Sequence, residues 1–356
     1  MSLRELSRTE TALVGVRITC LSTVHGGLDE GLLMKALDMV VTADPVLPAR
    51  IGGGGTGYHL YLPDAEPPSL RRGIGSLYAE LDVPIGPGDP LLRAVLFRGE
   101  EEDTFVLGAA HALFGRHGLT ELSETIWRVY TALADGTEVP TIVPGPRLPD
   151  TFAGQGNRVT QRGRKLPFDR GGKPGVETQR ILVQPKTTRR LAEVAKAANT
   201  SVPSLVGAAT LLAVRDVLTP HSGALPLCFA STAGLCFTDV SPDLDPLALA
   251  RRIAGGTPVP DQLIAEVATV RLSDFGSVSA PAMPDGVELT DLQVHVSPRW
   301  TPSGQGCLPF GMLVVDGRLD LSIAYRTECF GAESIRQVLD GTYAVLDQVS
   351  SARDSR

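Results

Sequence analysis

The stretch VLGAAHALFGRHGL, residues 106–119, ends an apolar run in a histidine, His111, followed by Gly115, Arg116, His117 and Gly118. An imidazole titrates near pH 6.5 and can accept a proton from a hydroxyl or amine as it attacks a thioester carbonyl. Read from the residues alone, His111 has two uses: such a base, or a core histidine hydrogen-bonded to a backbone carbonyl. A base of this kind needs donors for the tetrahedral oxyanion, and the backbone amides from Gly115 to Gly118 are candidates. Arg116 is either a holder of a carboxylate or phosphate or one of an exposed loop pair. His117 is an alternative base, but its glycine neighbours make a mobile and poorer mount.

Other chemistries have less support. His25, His59, His221 and His295 lack carboxylate or cysteine companions at ligand spacing, so no metal site is expected. Cys20, Cys228, Cys236, Cys307 and Cys329 form no C-x-x-C pair and read as buried free thiols. The glycines at 52–55 precede no Lys-Ser/Thr and lead to a strand rather than a helix, which argues for a flexible hairpin over a phosphate loop. With 43% hydrophobic and 21% charged residues, the chain reads as globular rather than disordered or membrane-embedded. A net charge of −7 gives a nucleic-acid partner no support. No apolar run approaches the roughly 20 residues that span a bilayer, and MSLRELSRTET lacks the layout of a signal peptide, so a cytoplasmic protein is expected.

The elements around His111 follow from periodicity. Residues 28–51 read as an amphipathic helix with Leu32, Leu33, Ala36, Leu37, Val40 and Val41 on one face, ended by Asp44-Pro45. The segments PLLRAVLFRG and EEDTFVLGAAHALF read as a hairpin around an acidic turn. Thr120 is the expected N-cap of the next helix. The Pro-, Gly- and basic-rich stretch up to residue 176 reads as a linker. Beyond it come a strand (TQRILVQP), two helices (KTTRRLAEVAKAANTS and VPSLVGAATLLAVRDVL), strands at ALPLCFAST and LTDLQVHVSP, a hairpin turning on Asp316-Gly317, and a closing helix. The domains expected are 1–145 and 177–356, joined by 146–176.

Several of these blocks, in this order, resemble the chloramphenicol-acetyltransferase-like superfamily, which includes nonribosomal peptide condensation domains and polyketide-associated acyltransferases. They are ALDMVVTADPVLPARI, the PLLRAVLF…FVLGAAHALF hairpin, RILVQPKTTRRLAEVAKAANTSVPSLVGAATLLAV and the C-terminal hairpin. The resemblance covers nearly the whole chain. It implies an α/β (α+β) fold of two subdomains, each a mixed or antiparallel sheet with flanking helices, forming a V-shaped pseudo-dimer with a central cleft. The family signature His-His-x-x-x-Asp-Gly falls on Ala110, His111, Gly115 and Arg116, so the catalytic second His is kept and the structural Asp is lost. The Arg that pairs with that Asp is expected in CFASTAGLCF, where only Ser231, Thr232 and small or apolar residues stand. Losing both partners of a buried pair can be nearly neutral, whereas losing one costs about 3 to 5 kcal/mol, which argues for an adapted site. The second signature, Asp-Phe-Gly-Trp-Gly, keeps Asp274, Phe275 and Gly276, a structural turn ahead of the strand ELTDLQVHV. The stretch between these blocks is shorter than the family's.

The resemblance implies an acyltransferase of specialised polyketide, nonribosomal peptide or lipid metabolism. It would move an acyl group from a CoA or phosphopantetheinyl acyl-carrier thioester to a small alcohol or amine, with His111 as base and no permanently bound cofactor. A carrier protein is the implied partner, and two pseudo-equivalent halves permit a monomer. Two other readings stay open. The altered motif could serve a cyclase, dehydratase or isomerase on the same fold, or the chain could be a non-catalytic scaffold that binds a carrier protein.

Overall fold

The computed structural model describes residues 2–54, 57–64, 67–144, 175–218, 225–231, 234–256, 268–297 and 307–352. The expected linker falls almost wholly outside these residues, as do His221 and Thr232. The chain divides into two compact units, one of 1–151 with 278–297 and one of 152–277 with 298–356.

The first unit contains β1 (Ser2–Glu5), α1 (Arg8–Ala12), β2 (Arg17–His25), α2 (Glu30–Ala43), β3 (Arg50–Gly54), β4 (Gly57–Tyr61), β5 (Leu70–Arg72), α3 (Leu77–Leu81), β6 (Leu92–Phe97), β7 (Glu102–Ala110) and α4 (Arg116–Ala134). Asp29 caps α2 by accepting from the Leu32 amide, and Leu33, Ala36, Leu37, Val40 and Val41 form its buried face. The glycine segment forms the expected hairpin, but the glycines read as its turn already belong to its first strand. It is itself strand β3, paired from Arg50↔Tyr61 to Gly54↔Gly57, because β3, β4 and β1 complete a small antiparallel sheet.

The second unit contains β8 (Val176–Val183), α5 (Pro185–Ala197), α6 (Val202–Leu218), β9 (Leu225–Ser231), β10 (Gly234–Val240), α7 (Pro246–Ala254) and β11 (Val270–Val278). After β12 (Glu288–Val296), it resumes with β13 (Leu308–Val315), β14 (Arg318–Arg326) and α8 (Ala332–Ser351). Its six-stranded sheet runs β10-β9-β11-β13-β14-β8. Asp316 and Gly317 both take left-handed conformations, as a tight β13–β14 turn requires. No single helix among the described residues is long and apolar enough to cross a membrane. The helices α5 and α6 reach that length only together and meet at 100°, with their apolar faces in this unit's core.

Two assignments change. The triplet Asp274-Phe275-Gly276 is not a turn before a strand but lies inside β11. Gly276 takes φ +79° and donates its N–H to Asp274 Oδ1 at 2.9 Å, a bend only glycine adopts cheaply, while Phe275 is buried. The strand β12, expected with the second half, joins the first unit's sheet, which runs β12-β2-β7-β6-β5. It pairs antiparallel along β2 from Glu288↔His25 to Val296↔Ile18. The physical reason is that β2 is nine residues long and, without β12, would leave one edge of backbone groups unpaired in a buried sheet. Replacing the buried Leu292 of β12 by Ala is expected to cost about 2 to 5 kcal/mol. In hydrogen exchange the amides of Arg17–His25 should then open before those of the six-stranded sheet; the reverse order would refute the strand's place.

Candidate functional site

The five-stranded sheet has two unlike faces. Paired strand residues share a face, and one face packs on α4. Trp127 stands edge-on to Phe105 at 5.7 Å and donates its Nε1–H to Ser22 Oγ at 3.1 Å, and the Cys20 Sγ lies 3.6 Å from Ser123 Oγ. Burial pushes the Cys20 thiol up to about 11, so it is no thiolate nucleophile at neutral pH. The opposite face carries Arg17 and Thr19 of β2, Gly108 of β7, Arg93 of β6 and His295 of β12, by the pairings Thr19↔Gly108, Arg93↔Gly108 and Thr19↔His295.

His111 follows directly on β7. Its backbone N–H donates to the Val16 carbonyl at 2.9 Å, one residue before β2 starts, and its side chain is buried. The Nδ1 atom lies 3.0 Å from the Phe114 carbonyl oxygen. A carbonyl only accepts, so Nδ1 carries the proton and the neutral ring has its lone pair on Nε2. That contact is common to both readings of His111: it is what a core histidine would make, and what orients a base.

The helix that follows starts four residues earlier than Thr120. Gly115 is its N-cap with an extended backbone, and the Leu119 N–H donates to the Gly115 carbonyl at 3.3 Å. The amides of Arg116, His117 and Gly118 precede that bond and have no acceptor within the helix. They lie at the positive end of a 19-residue helix dipole. Arg116 and His117 are therefore helical, not part of a glycine loop. Gly118 also borders a cavity of about 200 Å³ with Val40, Asp44, Glu121 and Leu122.

Two constellations were not anticipated. The first centres on Arg17, whose side chain is 0% exposed. Its Nη1 donates to Glu80 Oε1 at 2.9 Å, to the Glu80 carbonyl at 2.8 Å and to the Val83 carbonyl at 3.2 Å. Arg93 also holds Glu80, through Nε at 2.5 Å and Nη2 at 3.0 Å. The Nε and Nη2 atoms of Arg17 are buried with no acceptor among the described residues. A polar group left so costs about 1 to 3 kcal/mol, more when charged. The second is a chain along β12: the His295 Nε2–H donates to Gln293 Oε1 at 2.9 Å, and the Gln293 Nε2–H to Asp291 Oδ2 at 2.6 Å. His295 thus has a carboxylate companion after all, through an amide. The i, i+2, i+4 spacing of Asp291, Gln293 and His295 put all three on one strand face and was the available signal. Arg17 and Glu80 are 63 residues apart, and nothing local pointed to them.

The comparisons agree with this architecture. A family model described as "Phthiocerol/phthiodiolone dimycocerosyl transferase C-terminus" matches residues 172–235. The solved structure of polyketide synthase associated protein 5 from Mycobacterium tuberculosis superposes with a TM-score of 0.70 at 16% identity, covering 99% of each chain. Trichothecene 15-O-acetyltransferase from Fusarium sporotrichioides gives 0.67 at 10%, covering 98% of this chain and 95% of that one. The epimerization domain of the third module of tyrocidine synthetase B gives 0.66 at 13%, covering 99% and 97%. The chain has the chloramphenicol-acetyltransferase-like fold. No curated protein sequence matches it. Proteins of this fold in the comparisons are acyltransferases and domains of polyketide and nonribosomal peptide biosynthesis, and in this chain the fold carries a cluster of buried Arg17 and Glu80 with half-buried Arg93 on the same sheet as the strand that leads to His111.

Glu80 sets the acid stability of that cluster. Burial alone would raise its carboxyl, but the hydrogen bond from Arg93 and the charge and hydrogen bond of Arg17 outweigh burial and hold it below the usual carboxylate range. The sign is that of a depressed acid: the stabilisation is complete above the unfolded value and is lost as the pH falls below about 4.5. Glu80→Gln should cost about 3 to 5 kcal/mol at neutral pH by leaving Arg17 buried without its carboxylate. Urea melts at pH 7 and pH 4 should show the gap to the parent protein narrowing toward acid. A constant gap would mean that Glu80 does not titrate with the fold.

Proposed function

We propose that the chain is a cytosolic acyltransferase that moves an acyl group from a CoA or carrier-protein thioester to a small alcohol or amine, with His111 as general base. The observation that supports this most is the Nδ1–H bond to the Phe114 carbonyl, which leaves the basic lone pair on Nε2 at the end of β7, just ahead of the α4 N-terminus. In the step, Nε2 takes the proton of the attacking O–H or N–H while the heteroatom adds to the thioester carbon. The amides of Arg116 to Gly118 offer hydrogen bonds to the oxyanion. Collapse breaks the C–S bond, and the proton on Nε2 goes to the leaving thiolate, so no covalent enzyme intermediate and no permanently bound cofactor are needed. His117, two residues into the same helix, is the alternative base.

A second reading has its own support. With Gly115 and Arg116 where the signature has Asp and Gly, the same imidazole could serve a cyclisation, dehydration or isomerisation, and the fold's relatives include an epimerization domain. A third reading is a scaffold that binds a carrier protein without turnover.

His111→Ala, assayed with N-acetylcysteamine thioesters and simple alcohol or amine acceptors, is expected to lower kcat/KM by about 10² to 10⁴. Transfer that survives the substitution removes His111 as the base, and retained turnover of a pathway intermediate without any thioester favours the second reading.

A further inference from the structure

Arg17 has a feature that its ion pair with Glu80 does not use. The Nε–H and Nη2–H of a guanidinium lie side by side and form the fork that binds a carboxylate through two parallel hydrogen bonds. In Arg17 all three hydrogen bonds run through Nη1, and the atoms of the fork have no acceptor among the described residues, although the side chain is 0% exposed. The residue facing that fork is Gly108. A Cβ there would lie 2.1 Å from Nε, 2.6 Å from Cζ and 2.8 Å from Nη2, so only glycine lets the guanidinium lie across the strand in this position. The cluster is also short of carboxylate, since Glu80 serves both Arg17 and Arg93; Asp89 adds its charge on the Arg93 side.

The position of the fork gives it a meaning. Arg17 pairs with Ala110, and the Val16 carbonyl next to it accepts the His111 N–H, so Arg17 and His111 start from the same end of neighbouring strands, with the fork lying over Gly108, three residues before His111. We infer that the Arg17 fork is a receptor for a carboxylate on the substrate, making the chain selective for an anionic reactant. This rests on the acyltransferase reading for the word substrate, while the receptor itself rests on the geometry of Arg17, Gly108 and Glu80. The carboxylate could arrive on the acyl donor, as the free end of a dicarboxylic acid monothioester, or on the acceptor, as a hydroxy or amino acid.

The test follows the arginine Nε–H signals of the full chain by ¹H–¹⁵N NMR, assigning Arg17 by its loss in Arg17→Lys, while acetate or acetamide is added at constant ionic strength. Acetate should move the Arg17 signal saturably and leave that of Arg93 in place, and acetamide should have no such effect. Arg17→Lys keeps the charge without the fork; thermal melts establish that it folds, and by the same titration followed calorimetrically it should lose the saturable response, whereas Arg93→Lys should keep it. In the thioester assay, a succinyl donor should exceed a butyryl donor in kcat/KM by about tenfold, or a hydroxy acid should exceed the matching alkanol as acceptor by that factor, and the preference should vanish in Arg17→Lys. Which comparison shows the preference identifies the carboxylate's source. Equal responses to acetate and acetamide, a response that survives Arg17→Lys, or acetate binding without either substrate preference would each overturn the inference. His111→Ala should keep the acetate response, so a failed base and a failed receptor read out separately.

Discussion

The first unit depends on how the start of β2 is held. Within two residues, the Val16 carbonyl accepts the N–H of His111 on one side and the Arg17 carbonyl accepts that of Ser297, just beyond β12, on the other, at 2.9 and 2.8 Å. The Arg17 side chain then crosses Gly108 to reach Glu80 and the Val83 carbonyl. Two adjacent residues thus tie together the strand before His111, the strand contributed from late in the chain and helix α3. The backbone part of this arrangement is obligatory, because buried N–H and C=O groups must find partners. The side-chain part is not, since a buried ion pair is at best a modest source of stability and a hydrophobic replacement can equal it. An arginine at this point is better explained by what its remaining donors can do than by what its bonded ones contribute.

This bears on the missing ion pair of the signature. Gly115, on which the resemblance puts the signature's Asp, caps α4 with an extended backbone and no side-chain hydrogen bond. The charge pair of this neighbourhood lies instead among Arg17, Glu80 and Arg93, which come from β2, α3 and β6. Rigidity at the strand end is therefore provided by a different set of residues, while the His111 Nδ1 meets the Phe114 carbonyl. A carbonyl stabilises an imidazolium less than a carboxylate does.

Most of the fold was legible in the sequence, for identifiable reasons. The helix around Leu33, Ala36, Leu37, Val40 and Val41 and the β13–β14 hairpin are fixed by local periodicity and by Asp316-Gly317, and both appear where the pattern puts them. Elements set by distant partners were not legible. Strand β12 alternates like any half-buried strand, and nothing in ELTDLQVHV tells which sheet will take it. The glycines of β3 lack side chains to show a period, so a strand read as a turn. The N-cap of α4 was missed because a glycine caps it by backbone geometry, with no side-chain signal. At the site, His111 stood out because its chemistry is rare in an apolar run. Arg17 did not, because an arginine opening a strand looks like a solvated residue until Gly108, 91 positions away, is seen to make room for it.

That last point also separates packing from function at the site. Residues that only pack can be exchanged for others of similar volume at little cost, and a cluster built for stability alone would leave no donors over. Gly108 and Arg17 break that rule together. The glycine accommodates the guanidinium that crosses it, and the guanidinium keeps two buried donors without acceptors, which is unfavourable for an empty protein. Donors left unused in this way, on the sheet whose strand β7 leads to His111, are what a binding site looks like before its ligand is considered.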